Sequence, residues 1–209
     1  MRNWYYFTWI CGDHILEQHI HNLDVANWAK GAYPTQASGM GGRQVRMGKD
    51  HGEIFDHHAV EMQYADGAVI SSQCRHMPGC ANKVSEAFQG TKGRLDMGKT
   101  VLTDLQGKPL WSHAGKNDPD PYQTEHDELF AAVRGEKPTL NDAENGAKST
   151  LTAIMGRMAT YSGQVITWDA ALNSTVSLLP PRLAWDADMP LKPNADGFYP
   201  VPTPGKTKV

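Results

Sequence analysis

The strongest constraint on the fold is a two-residue turn, Asp66-Gly67, which joins two stretches of alternating apolar and polar residues. This dipeptide between alternating stretches is a specific short-range signal for a β-hairpin. Because strand side chains point to the two faces of a sheet in turn, the adjacent His57 and His58 are expected to point in opposite directions. The hairpin therefore predicts an antiparallel sheet with one apolar face, formed before the turn by Val60, Met62 and Tyr64.

The stretch from Asp13 to Gly31 predicts one helix. Asp13 is a suitable N-cap, and Gly31 suits a helix end. Residues at helical spacing form an apolar stripe for the core, comprising Leu16, Ile20 and Leu23, beside a polar stripe of Asp13, Glu17, His21, Asp24 and Trp28. A carboxylate one turn before an imidazole can orient the ring and raise its basicity. Glu17 and His21 therefore suit acid–base chemistry, and their spacing is equally typical of a surface ion pair.

The remaining elements are short strands and two longer helices. Residues 84–111 predict an antiparallel meander, and residues 121–134 and 142–161 predict helices. The first of these helices is capped by Asp120, and its buried side is expected to hold Tyr122, Leu129, Phe130 and Val133. The glycines at 39, 41 and 42 lack the spacing of a dinucleotide fingerprint, and we interpret them as a loop that ends a strand.

The proline distribution divides the chain. Seven of the thirteen prolines fall in residues 180–209, so this segment is predicted to be an extended arm that lies on its own domain or on a neighbouring subunit. Residues 1–179 are predicted to form one domain. No glycine-rich phosphate turn or βαβ pattern occurs, so no Rossmann domain and no cofactor-binding residue is predicted in this chain.

Composition excludes several classes of protein. A net charge of −3 over 209 residues gives no indication of nucleic-acid binding, and no apolar run is long enough for a membrane span. The hydrophobic fraction of 40% is typical of a globular domain. Three cysteines without a C-x-x-C motif, Cys11, Cys74 and Cys80, favour buried thiols in a reducing, cytoplasmic compartment.

The predicted helix resembles a family signature. Its pattern of Leu16-Glu17, His21, Asp24, Trp28 and Gly31 is similar to the L-D-x-x-x-H-x-x-D-x-x-x-W-x-x-G helix of the Gfo/Idh/MocA oxidoreductases, the relatives of glucose–fructose oxidoreductase and inositol dehydrogenase. The resemblance implies that His21 is the acid/base that moves the proton of a sugar or polyol hydroxyl, while NAD or NADP takes the hydride. Glu17 would be its partner, although it is one methylene longer than the family's usual Asp.

The resemblance extends along most of the chain, over residues 4 to about 174. The segments Asp56-His57-His58-Ala59, Gly90-Thr91-Lys92-Gly93 and Tyr161-Ser162-Gly163 resemble the family's central hairpin, the next strand pair and the closing helix. It is nearest to a bacterial branch with the phrases HNLD, GGRQVR and SQCRH. The implied fold is α+β, an open, mainly antiparallel sheet with helices packed on one face, and the implied assembly is a homo-oligomer through the free sheet face.

On that template the first helix and the polar sheet face bound the substrate cleft. Arginine offers paired donors and an aromatic ring offers a stacking surface. The predicted substrate-binding residues are Trp9, Arg43, Arg46, His57, Arg75 and His76. The family's Rossmann domain and its catalytic Lys are missing from this sequence, because Glu136-Lys137-Pro138 follows a helix end and is interpreted as a turn. The chain is therefore expected to be inactive alone, with a Rossmann domain supplied in cis or in trans.

Two alternatives stay open at this point. One is a stand-alone module that binds a sugar-like ligand or serves as a scaffold. The other is a metal-assisted lyase or hydrolase with a metal ion held by Glu17, His21 and His57, since imidazole and carboxylate groups are common zinc and manganese ligands.

Overall fold

The computed structural model describes residues 2–209, which form two compact units. The larger unit comprises residues 2–81 and 147–209, and the smaller unit comprises residues 82–146. Both contain antiparallel sheets, which confirms the predicted α+β class, although the strands form two sheets instead of one. None of the described helices is long and apolar enough to cross a membrane.

The larger unit is built on a four-stranded sheet. A short 3-10 helix, Trp4–Tyr6, and three helices, α1 (Thr8–Cys11), α2 (His14–Glu17) and α3 (Ile20–Lys30), precede β1 (Gln36–Gly42), β2 (His57–Gln63) and β3 (Val69–Arg75). The last elements of the unit are α5 (Ala143–Ser162), β8 (Ile166–Thr167) and α6 (Trp168–Leu172). The first residues of α5, up to Gly146, belong to the smaller unit. The strand order is β3-β2-β1-β8, and every described pairing is antiparallel.

One face of this sheet carries the core. The buried side chains of β2 alternate along the strand and pack against α3 and α5; the cluster includes Ile15, Leu23, Val60, Met62, Met155 and Met158. A buried polar link joins the same layers, because Tyr64 Oη donates to Asn27 Oδ1 (2.9 Å) and Asn27 Nδ2 donates to Thr152 Oγ1 (3.1 Å). The other face is open, so the predicted opposition of His57 and His58 is confirmed: His58 is buried and His57 is half-buried.

The glycine cluster has a different role from the predicted loop. Gly39, Gly41 and Gly42 lie inside β1. A Cβ atom at Gly39 would come within 2.7 Å of the Ala59 carbonyl oxygen, and one at Gly41 would come within 2.7 Å of the His57 carbonyl oxygen. The glycines therefore let β1 approach β2 closely, a packing requirement that looks like a loop signal in the sequence.

The smaller unit contains the predicted meander and one helix. Its strands are β4 (Ala87–Gln89), β5 (Arg94–Asp96), β6 (Val101–Thr103) and β7 (Pro109–Ser112), paired in sequence order. Helix α4 (Pro121–Val133) begins as predicted, since the Asp120 carboxylate accepts from Gln123 N at 2.9 Å. The prediction for its buried side was wrong: Tyr122, Leu129, Phe130 and Val133 are all more than half exposed.

The proline-rich segment contains no helix or strand among the described residues. Its end returns to the larger unit, where Gly205 N donates to the Ser162 carbonyl at 2.7 Å. Tyr199 contacts the ring of Phe7 edge to face with centroids 5.0 Å apart, and Val209 packs on the core. Residues 147–209 thus form part of one compact unit with the N-terminal segment.

The glycines of β1 give a test of the close strand approach. Gly39→Ala is expected to lower the free energy of unfolding by about 1–3 kcal/mol, because the added Cβ meets a backbone oxygen that cannot rotate away. Gly42→Ala is the matched control: its Cβ would lie 3.5 Å from the nearest atom, and the change should stay within about 0.5 kcal/mol. Urea unfolding measures both, and a Gly39→Ala variant as stable as the parent chain would contradict the packing argument.

Candidate active site

The predicted acid–base pair lies where one expected helix is divided into two. Glu17 ends α2 and His21 lies in the first turn of α3, so the prediction of a single helix from 13 to 31 was wrong. The helical hydrogen-bond pattern widens at the break, because His19 N donates to the His14 carbonyl, five residues back. His19 also contacts β3, where its Nε2 lies 2.8 Å from Ser72 Oγ. The regular one-turn spacing of Glu17 and His21 is therefore interrupted.

The two side chains of this pair are available to a ligand. His21 is exposed and Glu17 is half-buried. Within residues 2–209, neither side chain makes a hydrogen bond or an ion pair. An imidazole without a protein partner can exchange a proton with a bound hydroxyl, which is the chemistry that the sequence assigned to His21.

A buried carboxylate lies directly before α2. Asp13 is fully buried and accepts hydrogen bonds from the backbone N–H of His14, from Tyr161 Oη, from His58 Nε2 at 3.1 Å and from Phe55 N at 3.1 Å. Burial alone would raise the pKa of Asp13, but His58 and these hydrogen bonds lower it. The sequence predicted Asp13 as a helix cap, which is confirmed, and as part of the polar stripe with Glu17 and His21, which was wrong because Asp13 is fully buried. Its role as the centre of a buried network, which also includes Tyr161 and His58, was missed.

A second cluster consists of aromatic and histidine rings. Tyr5 Oη lies 2.6 Å from His14 Nδ1, and the His14 and His76 rings are stacked 4.6 Å apart and nearly parallel. His76 Nε2 lies 3.0 Å from the Phe55 carbonyl oxygen. Burial, with a contribution from His76, lowers the pKa of His14 to about 4, so that ring is neutral at pH 7. Burial also lowers the pKa of His76, a residue predicted to bind substrate.

Two of the three arginines predicted to bind substrate, Arg43 and Arg46, form hydrogen bonds in or near the loop between β1 and β2. Arg43 donates to the carbonyls of Arg46, Gly48 and Gly52. Arg46 donates from Nε to the His76 carbonyl at 2.7 Å and from a terminal nitrogen to Tyr6 Oη at 2.8 Å. The structure therefore brings Arg43, Arg46 and His76 together, and their polar atoms shape the loop.

His57 and Arg75 lie elsewhere. They are cross-strand partners at the end of the sheet, on its open face, whereas α3 and His21 lie on the covered side. The sheet and its core lie between these two groups. The family resemblance placed the first helix and the polar sheet face around one cleft, and the strand register shows that they lie on opposite sides of the sheet.

Trp9 occupies a further position, on α1. Its indole Nε1 is buried and has no hydrogen-bond partner among the described residues. The ring borders a cavity of about 330 Å³ whose other walls come from residues 180–188. A buried N–H without an acceptor is costly, so this donor is suited to a ligand or a water molecule.

The metal alternative does not match the geometry. Within residues 2–209, no three His, Cys, Asp or Glu side chains are placed to share one metal ion. The suggested set of Glu17, His21 and His57 is divided by the sheet, because His57 faces the open side. The three cysteines are free thiols in the described residues. The prediction that they are buried holds for Cys11 and was wrong for Cys80, which is exposed.

Comparison with known proteins gives a family and a fold. A family model described as "Oxidoreductase family, C-terminal alpha/beta domain" matches residues 1–167. No curated protein matches the chain. Among solved structures, an aldose–aldose oxidoreductase from Caulobacter crescentus complexed with glycerol has a TM-score of 0.62 at 16% identity, over 78% of this chain and 50% of that one.

A scyllo-inositol dehydrogenase from Lactobacillus casei, with bound NAD(H) and scyllo-inositol, has a TM-score of 0.57 at 17% identity. A myo-inositol 2-dehydrogenase from Lactobacillus plantarum has a TM-score of 0.53 at 18% identity. The two matches cover 74% and 73% of this chain, respectively, and 48% of each relative. At such identity the likeness shows the fold, and the chain spans about half the length of these proteins.

The buried His14 ring predicts a pH dependence of stability. Its pKa falls from 6.5 to about 4 on folding, so the unfolded chain binds the additional proton between these values. Stability should be fully present above pH 6.5 and be lost as the pH falls toward 4. The loss attributable to His14 at pH 4.5 is about 2–3 kcal/mol.

The measurement is urea unfolding at pH 7 and pH 4.5. His14→Gln, which cannot titrate and can still accept from Tyr5, should lose less stability between the two pH values than the parent chain. His126→Gln, at an exposed position of α4, is the control and should behave as the parent. Equal pH dependence in the parent and the His14→Gln variant would overturn the assignment.

Proposed function

Because the chain belongs to the Gfo/Idh/MocA oxidoreductase family, as its C-terminal alpha/beta domain, we propose that it is the substrate-binding half of an oxidoreductase that acts on a sugar or polyol. NAD or NADP would be bound by a Rossmann domain joined in cis or associated in trans. The proposal draws on the relatives of known structure, of which one holds scyllo-inositol with NAD(H) and another glycerol. A bacterial source and a cytoplasmic location fit the resemblance and the free thiols.

The observation that carries the proposal is the state of His21. It is exposed on α3 and forms no hydrogen bond within the described chain, although many other polar groups near the start of the chain are bonded in buried networks. His21 would accept the proton of a substrate hydroxyl through its free nitrogen. Glu17 would act as its partner, orienting the ring and stabilising the imidazolium that forms.

The residues of this chain would perform only the proton-transfer part of the reaction. Oxidation of a hydroxyl group also requires a hydride acceptor, and the 209 residues contain no dinucleotide-type glycine turn. No nicotinamide step is therefore assigned to them, and the chain alone should lack dehydrogenase activity. What it supplies is substrate binding, orientation and a proton acceptor.

The other predicted residues would support binding in two ways. Trp9 is proposed to contact the substrate, because its unpartnered N–H can donate to a hydroxyl and its ring can stack on a sugar. Arg43, Arg46 and His76 are proposed to hold the loop that shapes the cleft, since their donors are directed at backbone carbonyls. Substitution of these three would act through folding of the loop.

A homo-oligomer through the open sheet face is part of the same proposal. Two apolar side chains on that face, Met40 and Val69, are 78% and 50% exposed. Exposed apolar side chains on a flat sheet favour association with a second sheet.

Association through this face can be tested at Met40. Met40→Arg is expected to lower the oligomer mass measured by light scattering, because it introduces a charge at the centre of the contact. Met97→Arg, in the smaller unit, is the control. An unchanged mass for Met40→Arg would contradict association through this face.

Ligand binding is tested by calorimetric titration of the purified chain with glucose, myo-inositol, NAD+ and NADP+. We expect a sugar or polyol to bind and the nucleotides not to bind. His21→Ala should weaken sugar binding about tenfold by loss of one hydrogen bond to a hydroxyl. His126→Ala, an exposed histidine of α4, should leave it unchanged.

Two results would contradict the proposal. Equal affinity in the His21→Ala variant would remove His21 from the site, and turnover by the chain alone with NAD+ or NADP+ would remove the need for a second domain. Absence of binding to any sugar or polyol would favour a scaffold role.

A further inference from the structure

The four-stranded sheet of the smaller unit has two chemically different faces. Directly paired residues of antiparallel strands lie on the same face of a sheet. One row of partners is apolar and runs across all four strands, comprising Phe88, Leu95, Leu102 and Trp111. The rows on either side of it lie on the opposite face, and in β4, β5 and β6 they comprise Gln89, Arg94 and Thr103 in one row and Ala87, Asp96 and Val101 in the other. That opposite face is therefore mostly polar.

A cavity of about 570 Å³ lies on this polar face. All six residues of the two rows border it, together with Lys99 from the turn between β5 and β6. Cavities of about 300–1,000 Å³ are typical of small-molecule sites. The polar face therefore offers enough space for a small ligand.

The middle strand supplies a cation without a protein partner. Arg94 is exposed and makes no hydrogen bond or ion pair within residues 2–209. The other charges at the cavity lie beside each other: Asp96 Oδ1 accepts from Lys99 N at 3.1 Å, and Asp96 Oδ2 lies 3.8 Å from Lys99 Nζ. The positive charge of Arg94 is thus left without a counter-ion among the described residues that border the cavity.

The residues beside Arg94 add neutral hydrogen-bond donors. Gln89 on β4 and Thr103 on β6 are its direct partners, and paired strand residues have Cβ atoms about 5 Å apart. A side-chain amide offers two N–H donors and a hydroxyl offers one. Neither of these side chains makes a hydrogen bond within the described residues. One row of the sheet therefore presents a guanidinium between two neutral donor groups.

From this arrangement we infer that the polar face of the smaller sheet binds a small hydroxylated molecule through a carboxylate or phosphate group, with Arg94 as the anion-binding residue. The guanidinium donates to two oxygens of the group in parallel. The amide of Gln89 and the hydroxyl of Thr103 donate to the remaining oxygens or to hydroxyl groups. The carboxylate of Asp96 accepts from a hydroxyl group of the same ligand, which favours a sugar acid or sugar phosphate over a simple anion.

This site lies wholly within residues 87–103 and does not rest on the function proposed for His21. A neutral sugar lacks the group that Arg94 recognises. The two sites therefore select different ligands, and the failure of one proposal leaves the other testable.

The test is a titration of 15N-labelled chain, followed through the backbone amides of residues 87–103 and the Arg94 side-chain Nε. Glucuronate, glucose 6-phosphate and glucose are added separately at constant ionic strength. Glucuronate or glucose 6-phosphate should shift these signals in a saturable manner, and glucose should not. A response to both shows that either anionic group is accepted, and a response to one identifies the group. Acetate and inorganic phosphate, which lack the sugar hydroxyls, should bind about tenfold more weakly than their sugar counterparts.

Arg94→Gln should weaken binding about tenfold, because it removes the charged pair of donors. Lys108→Gln is the matched control: it removes the same charge from the turn between β6 and β7, outside the cavity lining, and should leave binding unchanged. Thermal melting checks that both variants keep the fold. Three results would overturn the inference: no saturable shift in residues 87–103 at about 50 mM of either sugar anion, equal affinity in Arg94→Gln, or binding of glucose, acetate or phosphate as tight as that of the sugar anions.

Discussion

The structure of the larger unit depends on the buried carboxylate of Asp13. Four groups donate hydrogen bonds to this carboxylate. They are the backbone N–H of His14 at the start of α2, the backbone N–H of Phe55 just before β2, the ring of His58 in β2 and the hydroxyl of Tyr161 in α5. A buried charge without partners would be very unfavourable, so these elements are stable together and not separately. The backbone at Asp13 has a φ of 93°, a conformation that costs about 1–3 kcal/mol and that the network must offset.

The position of His21 follows from this anchor. Asp13 fixes the start of α2, and the contact of His19 with Ser72 fixes the widened turn that follows. Through Asn27, helix α3 is then hydrogen-bonded to Tyr64, the residue after β2, and to Thr152 of α5. His21, between these fixed points, is left on the outer surface of the helix without a partner. The proton transfer proposed for His21 would require an imidazole held on a rigid scaffold.

Two adjacent histidines of β2 show how strand alternation places one residue type in two environments. His58 faces the core, where it bonds to Asp13 and Thr160. His57 faces outward and is oriented by Asp56, with one nitrogen left free. In both cases a buried carboxylate determines the ring orientation, but only His57 can meet a ligand. The two rings differ in burial because the side-chain period of a strand is two.

Short-range sequence features predicted much of the fold. The Asp66-Gly67 turn, the alternation along β2, the Asp120 cap and the Gly31 helix end are short-range features, and all were confirmed. The break after Glu17 could not be predicted, because it depends on a long-range contact between His19 and Ser72. The exposed side of α4 could not either, since periodicity identifies an apolar face without saying what covers it.

The site was harder to predict than the fold for the same reason. Arg43 and Arg46 are polar residues in a glycine-rich segment, which favours a binding role, yet their donors reach backbone carbonyls in their own loop. His57 and Arg75 look like neighbours of His21 until the strand register places them on the opposite face. A sequence indicates which side chains can do chemistry, and only the packing indicates which of them are already bonded.

The most direct test of the central claim is to map the sugar site on the folded chain. Backbone amide resonances of 15N-labelled protein would be followed during titration with myo-inositol and glucose. The account predicts that the largest shifts cluster in α2, in the turn after it and in the first half of α3, around Glu17 and His21. Shifts confined to the open sheet face or to the smaller unit, with α2 and α3 unaffected, would contradict it.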